Sequence, residues 1–303
     1  MTTRVYTTLD DLVRMQFDAR GFSLSSRQPV TSLLSGRHAS RLRGRGLTFE
    51  ELRDYRPGDD IRSMDWKATA RLRKPHVRVY SEERERPVLL VVDQRTSMFF
   101  GSVRTTKAVA ATELAALSAW RALESGGRVG ALIFTDDDVV EVKPHRSRTN
   151  VLRICHELVR ANHQLSSSRS VPESTTLNDA FRRAVNVAKH DHLIVMITDF
   201  ADADATTRKH GTYLAAHNDC LAVMIYDPLG IQLPVQGEMD ASDGQRQIRV
   251  PQDRQFEQRF EAAFRETCQQ LRDRMGAFRI PILPICTHEP VLDQLRSALG
   301  ARR

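Results

Sequence analysis

Cysteine is scarce and scattered in this chain. Cys155, Cys220, Cys268 and Cys286 are the four among 303 residues, and no two form a CxxC pair. That spacing argues against a zinc site or a disulfide framework and for reduced thiols in a cytosolic protein. Long apolar runs are missing too. The longest, VLLVV at 88–92 and LIVMI at 193–197, fall far short of the roughly 20 residues a membrane-spanning helix needs. Asp10, Asp11 and Asp18 break up the apolar residues of the N-terminus, so it does not read as a signal peptide. A cytoplasmic protein that is not transmembrane is expected. Familiar catalytic signatures are also lacking: there is no GxSxG, P-loop, HExxH or recognisable triad. No residue is therefore assigned as catalytic, no small-molecule substrate is expected, and the chain reads as a non-enzyme. His190-Asp191-His192 could suggest a metal site, but His190 closes a helix and His192 opens a strand, which favours capping.

Hydrophobic residues make up 41% of the chain and charged ones 27%, enough to bury a core without staples. The net charge of +7 is unevenly spread. Residues 1–86 hold 18 Lys/Arg against 12 Asp/Glu, whereas the rest holds 27 against 26. Six arginines and no acid lie between Ala19 and Phe49. This basic segment, Arg20–Arg45, offers an alternative function: binding an anionic polymer or a membrane surface. A solvated loop is the simpler reading, and nucleic acid is not the favoured partner.

Beyond Pro87 the pattern changes to alternating strands and helices. Short apolar, β-branched runs at 88–93, 128–134, 192–198, 220–226 and 279–285 predict strands buried on both faces. A short edge strand is expected at 139–144. Helical periodicity marks 105–127, 149–162, 177–190, 205–217 and 290–300. A hairpin at 231–250, around Ser242-Asp243-Gly244, and a charged helix at 252–275 form an insertion at about 230–275. Strands alternating with helices imply an α/β fold with a doubly wound, mostly parallel sheet over 87–303, preceded by an arginine-rich module at 1–86.

In such sheets ligands bind beyond the carboxyl ends of the strands. There the sequence reads Asp93-Gln94-Arg95-Thr96-Ser97, then Thr175-Thr176 from a later loop, then Thr198-Asp199 after a later strand. Carboxylates and hydroxyls are hard ligands suited to Mg²⁺. The set resembles the metal-ion-dependent adhesion site of the von Willebrand factor A fold, which is built from Asp-x-Ser-x-Ser, a Thr and a later Asp. Asp93, Ser97, Thr175 and Asp199 match those positions and would be the metal ligands if a metal binds. Arg95 stands where the first Ser should be, and a permanent cation cannot ligate a metal. Either Arg95 swings aside and leaves a weakened site, or its guanidinium sits between Asp93 and Asp199 and replaces the ion. The second is favoured, because two packed carboxylates need a positive charge nearby. No cofactor is expected, and Mg²⁺ is disfavoured by Arg95.

The segment 36–86 carries a longer pattern: Gly44, Gly46, Phe49, Arg53, Tyr55, Gly58, Asp59, Asp60, Arg62, Asp65, Trp66, Ala70 and Arg71, with Met64 at an Ile position. It resembles the bacterial domain of unknown function 58 family, in which such a motif precedes an A-like domain. Interleaved acids and arginines here imply a salt-bridged segment docked on the sheet domain, with Trp66 as its apolar anchor. The resemblance implies a protein–protein adaptor that works with a MoxR-type AAA+ ATPase and a protein client, in a chaperone-like or complex-maturation system.

Overall fold

The structure, a computed structural model, describes residues 3–20, 22, 48–57, 59–81, 86–166, 175–230, 240–242, 247–249, single positions between 255 and 269, and 280–299. The chain forms two compact units, one of residues 42–86 and one of 1–41 with 87–303.

The larger unit is a six-stranded sheet. Its strands are β3 (Val88–Asp93), β4 (Val129–Phe134), β5 (Val139–His145), β6 (Leu193–Thr198), β7 (Asp219–Tyr226) and β10 (Ile282–Cys286), in the order β10-β7-β6-β3-β4-β5. All pairings are parallel except that of β4 with the edge strand β5. Every residue of β3, β4 and β6 is buried. Central parallel strands need apolar side chains on both faces, so these segments read as unbroken apolar runs. The five main strands expected from those runs are present, and the fold is the expected doubly wound α/β sheet.

Helices cover both faces. On one side lie α3 (Lys107–Glu124), α4 (Arg148–His163) and α7 (Val291–Leu299), packed on Leu90, Val92, Val195 and Ile197. On the other lie α5 (Leu177–Val187) and α6 (Ala205–His217), packed on Leu89, Val91, Ile194 and Met196. Alternating residues of one strand thus feed opposite cores, as the pleat dictates. Fourteen residues of α3 are buried. Its many alanines let it sit close to the sheet, and Thr106 caps it by accepting from the Val109 amide.

The first residues of the chain are not part of the arginine-rich unit. Helix α1 (Leu9–Arg14) buries Leu12 in the α3-side core, together with Phe22. Trp120 Nε1 donates to the Leu12 carbonyl at 2.8 Å, and Arg4 ion-pairs with the buried Glu113. Composition grouped residues 1–86 by their excess of arginine. Packing instead follows the apolar side chains Leu12, Ala19 and Phe22, and so takes the N-terminus to the sheet. The basic segment lies outside the described residues, apart from Phe22 and from Arg20, which pairs with Glu124 at 2.9 Å.

In the insertion, β8 (Asp240–Ser242) pairs antiparallel with β9 (Gln247–Arg249). The first arm of the expected hairpin, 231–239, lies outside the described residues. The described positions between 255 and 269 are helical.

The small unit contains the antiparallel pair β1 (Thr48–Asp54) and β2 (His76–Ser81), and helix α2 (Trp66–Leu72). Its motif residues do local work. Arg53 grips Asp59 with two bonds of 2.7 and 2.8 Å, and Asp59 also accepts from the Arg56 amide. Asp60 accepts from the Arg62 amide, and Asp65 caps α2 through the amides of Lys67 and Ala68. The Tyr55 amide bonds the Pro75 carbonyl. Arg62, Arg71 and Trp66 are exposed, Trp66 by 66%. Gly58 lies outside the described residues.

Candidate functional site

The order of the sheet reverses beside β3. The chain leaves β3 toward β4 on one side and returns to β6 on the other, so a crevice opens beyond the carboxyl ends of β3 and β6. Asp93 is the last residue of β3 and Thr198 the last of β6. The site is built on these two strand ends.

Asp93 is fully buried. Its Oδ1 accepts from the Arg95 amide at 3.0 Å and from Arg95 Nε at 3.1 Å. Its Oδ2 accepts from Arg95 Nη2 at 2.8 Å and from Thr198 Oγ1 at 2.6 Å. Four donors therefore meet one carboxylate, which is how a buried charge is tolerated. The other fork of the guanidinium points to Asp202: Nη1 meets Oδ2 at 2.7 Å and Nη2 meets Oδ1 at 2.9 Å. Asp202 Oδ2 also accepts from the Leu177 amide, in the first turn of α5. The Phe134 ring lies 5.2 Å from the guanidinium carbon, which adds a cation–π contact.

Burial pushes the Asp93 carboxyl upward, while Arg95 and Thr198 pull it down and the Asp199 charge pushes it up again; the net direction is up. Burial also acts to raise Asp202, but the hydrogen bonds and charge of Arg95, with the Leu177 amide, outweigh it and hold this carboxyl below its usual range. Burial works against the Arg95 charge, and the carboxylates of Asp202 and Asp93 more than restore it.

Asp199 is not the second partner of Arg95. Lys107 Nζ, from the first turn of α3, holds Asp199 Oδ2 at 2.6 Å, and the Ala201 amide donates to Oδ1. Thr175 reaches Arg95 through its carbonyl oxygen, at 3.5 Å from Nη1. Ser97 is exposed, in the 3-10 turn Thr96–Met98 that follows β3. The structure thus brings Asp93, Arg95 and the Thr175 main chain together, with Asp199 in a neighbouring ion pair.

Sequence reasoning missed three participants, Asp202, Lys107 and Asp136, and it gave no role to Thr198, which stands in the strand-end motif. Asp136 accepts from both the amide and the hydroxyl of Thr96, at 2.9 and 2.6 Å, and its carbonyl accepts from the Thr175 amide. The string Thr198-Asp199-Phe200-Ala201-Asp202 contains a second carboxylate within reach of the same strand end, and that was the available signal. Nothing in the spacing singles out Lys107, 92 residues before Asp199.

A second carboxylate fastens the same edge of the sheet. Asp227, just past β7, accepts from the Ser102 amide and hydroxyl, the Thr287 hydroxyl and the Leu229 amide at 2.5–3.0 Å. The loop after β3 must pass close to its own continuation here. A Cβ at Gly101 would lie 2.1 Å from the Thr105 carbonyl oxygen.

These residues do not fit Mg²⁺. Both Asp93 oxygens are committed to donors, and the guanidinium covers the face between Asp93 and Asp202. At an effective dielectric constant near 20, a cation about 5 Å from another feels roughly 3 kcal/mol of repulsion per unit charge. Among the described residues no group of three His, Cys, Asp or Glu side chains forms a metal cage, and His190 is exposed beside Asp191 at 3.2 Å. Cys155 and Cys220 are buried, and burial pushes both thiols up to about 12, so neither supplies a thiolate at neutral pH.

Residues 51–270 match the family described as "Protein of unknown function DUF58". Uncharacterized protein Rv1480 of Mycobacterium tuberculosis is 30% identical over 226 residues, covering 75% of this chain and 69% of that protein. Among solved structures, conserved hypothetical protein BatB from Bacteroides thetaiotaomicron aligns at 13% identity and TM-score 0.37, over 64% of this chain and 98% of that one. A von Willebrand factor type A chain from Catenulispora acidiphila aligns at 12% identity and TM-score 0.39, over 72% of this chain and 42% of that one.

Proposed function

This chain belongs to the DUF58 family, and on that premise we propose that it is a non-enzymatic adaptor that binds other proteins. Its partners in this reading are a MoxR-type AAA+ ATPase and a protein client, and it works in the cytoplasm. The single observation that carries the proposal is the closure of the strand-end crevice by Arg95, fixed between Asp93 and Asp202. A guanidinium locked into two ion pairs serves no proton transfer, and here it ties the loop after β6 to the end of β3. No helix among the described residues is long and apolar enough to cross a membrane.

Affinity capture from the native host lysate, with ATP and separately with ADP, tests the reading. The expected result is enrichment of an AAA+ ATPase of the MoxR type that persists at 300 mM salt. Recovery of nucleic acid or lipid instead, falling steeply with salt, would support the basic segment Arg20–Arg45 as the binding element.

A further inference from the structure

The opposite end of the sheet holds a cavity. Strand β5 runs antiparallel to β4, so His145 lies across from Val129, at the amino ends of the parallel strands and away from Asp93 and Thr198. Helix α5 stops at Val187. Between its last turn and the end of β5 opens a cavity of about 500 Å³, a size within the range of small-ligand sites.

Three consecutive residues, Lys143, Pro144 and His145, line its strand side. A regular strand sends neighbouring side chains to opposite faces. Here a bulge breaks the alternation: between the pairs Val129–His145 and Ala131–Val142, Gly130 alone stands opposite both Lys143 and Pro144. Gly130 has no room for a side chain, since a Cβ there would lie 2.6 Å from the Val142 carbonyl oxygen and 2.7 Å from the Pro144 nitrogen. Asn150, buried on α4, pins the bulge: its Nδ2 donates to the Val129 carbonyl at 2.7 Å and to the Lys143 carbonyl at 3.1 Å. A glycine, a proline and a buried amide thus hold Lys143 and His145 toward one cavity.

The charges in it are unbalanced. Arg183, from α5, pairs with Glu141 through Nη2 at 3.0 Å and Nε at 3.2 Å. Among the described residues no carboxylate pairs with Lys143 or His145. We propose that this cavity binds a phosphate monoester. Lys143 and His145 approach from the strand, Arg183 and Asn186 from the helix. A tetrahedral phosphate, with three free oxygens, meets donors spread in this way, whereas a planar carboxylate is met best by a single fork. It carries a charge of about −1.5 to −2 at neutral pH, which suits a site with unpaired basic side chains. Val187 and Pro144 give the carbon-bearing part of the ligand an apolar wall. A free metabolite and a phosphorylated side chain share this chemistry. The proposal does not depend on the adaptor reading.

Isothermal calorimetry on the full chain, at neutral pH and constant ionic strength, tests it with inorganic phosphate, ribose 5-phosphate and a phosphoserine tripeptide, with acetate as the control. Phosphate should bind the wild type saturably, and acetate should not. Lys143→Ser should weaken phosphate about tenfold, the loss of one charge-assisted hydrogen bond. Glu141→Gln should act in the opposite sense and tighten it, because it removes the acid and frees the Arg183 guanidinium. The ester that binds more tightly than inorganic phosphate identifies the source, metabolite or phosphorylated protein. Lys143 is exposed and Glu141 half-buried on an edge strand, so both variants should fold, which their thermal midpoints check. No saturable heat with phosphate, an equal affinity for acetate, both esters weaker than inorganic phosphate, or Lys143→Ser binding like the wild type overturns the proposal.

Discussion

The guanidinium of Arg95 joins Asp202 across 107 residues of sequence, through paired contacts of 2.7 and 2.9 Å. This link ties the end of β3 to the loop after β6, and it holds the Asp202 carboxyl below its usual range. A carboxyl with a depressed folded pKa stabilises the protein above its unfolded pKa, and that contribution is lost as pH falls through the folded value. Asp202→Asn should therefore cost about 1–2 kcal/mol at pH 7, the range for a partly exposed charge-assisted pair. The gap between variant and wild type should shrink as pH drops below about 4. Urea titrations at pH 7, 5 and 3 measure it, and a gap that stays constant would assign Asp202 no ionic role.

Removing the cation has a larger consequence. Arg95→Met leaves Asp93 buried with Thr198 and a backbone amide as donors, and a buried charge stripped of its partner costs about 3–5 kcal/mol. Burial already pushes the Asp93 carboxyl up, so without Arg95 it should take up a proton more readily, and the deficit should narrow toward acid pH. Asp93→Asn in the same chain should recover about half of the loss. The four chemical denaturation midpoints of the double-mutant cycle give the coupling; a coupling near zero would mean that the pair is incidental.

The N-terminus should behave as part of the sheet unit. Leu12 is 0% exposed and its carbonyl accepts from Trp120 Nε1. Leu12→Ala should cost about 2–4 kcal/mol, as for other fully buried leucines. It should also shift the Trp120 emission, by loosening the carbonyl that fixes the indole. A change below about 0.5 kcal/mol would place α1 outside the cooperative unit.

The sheet was legible because β3, β6 and β7 are short apolar runs with helical periodicity between them, and burial on both faces leaves no other use for such runs. The carboxyl-end location of the site followed from that topology. The partners of individual charges did not. Arg95 pairs with Asp202 instead of Asp199 because Lys107, arriving from α3, already neutralises Asp199, and periodicity cannot reveal which charges two elements bring together in space. The N-terminal boundary misled for a related reason. Arginine density marked residues 1–86 as one module, whereas three apolar residues, Leu12, Ala19 and Phe22, decide where 3–22 packs. Trp66 illustrates the opposite limit: its side chain is exposed, and sequence alone gives an aromatic no reason to stand in water.

We propose that Arg95 takes the place of a metal ion at the strand ends, held there by Asp93 and Asp202. Isothermal calorimetry with Mg²⁺ on the wild type and on Arg95→Ser tests it most directly. The wild type should give no measurable heat of binding at millimolar Mg²⁺. Arg95→Ser, where a hydroxyl replaces the positive charge beside Asp93, should bind saturably. Tight Mg²⁺ binding by the wild type, with Asp93, Ser97 and Thr175 as ligands, would contradict it.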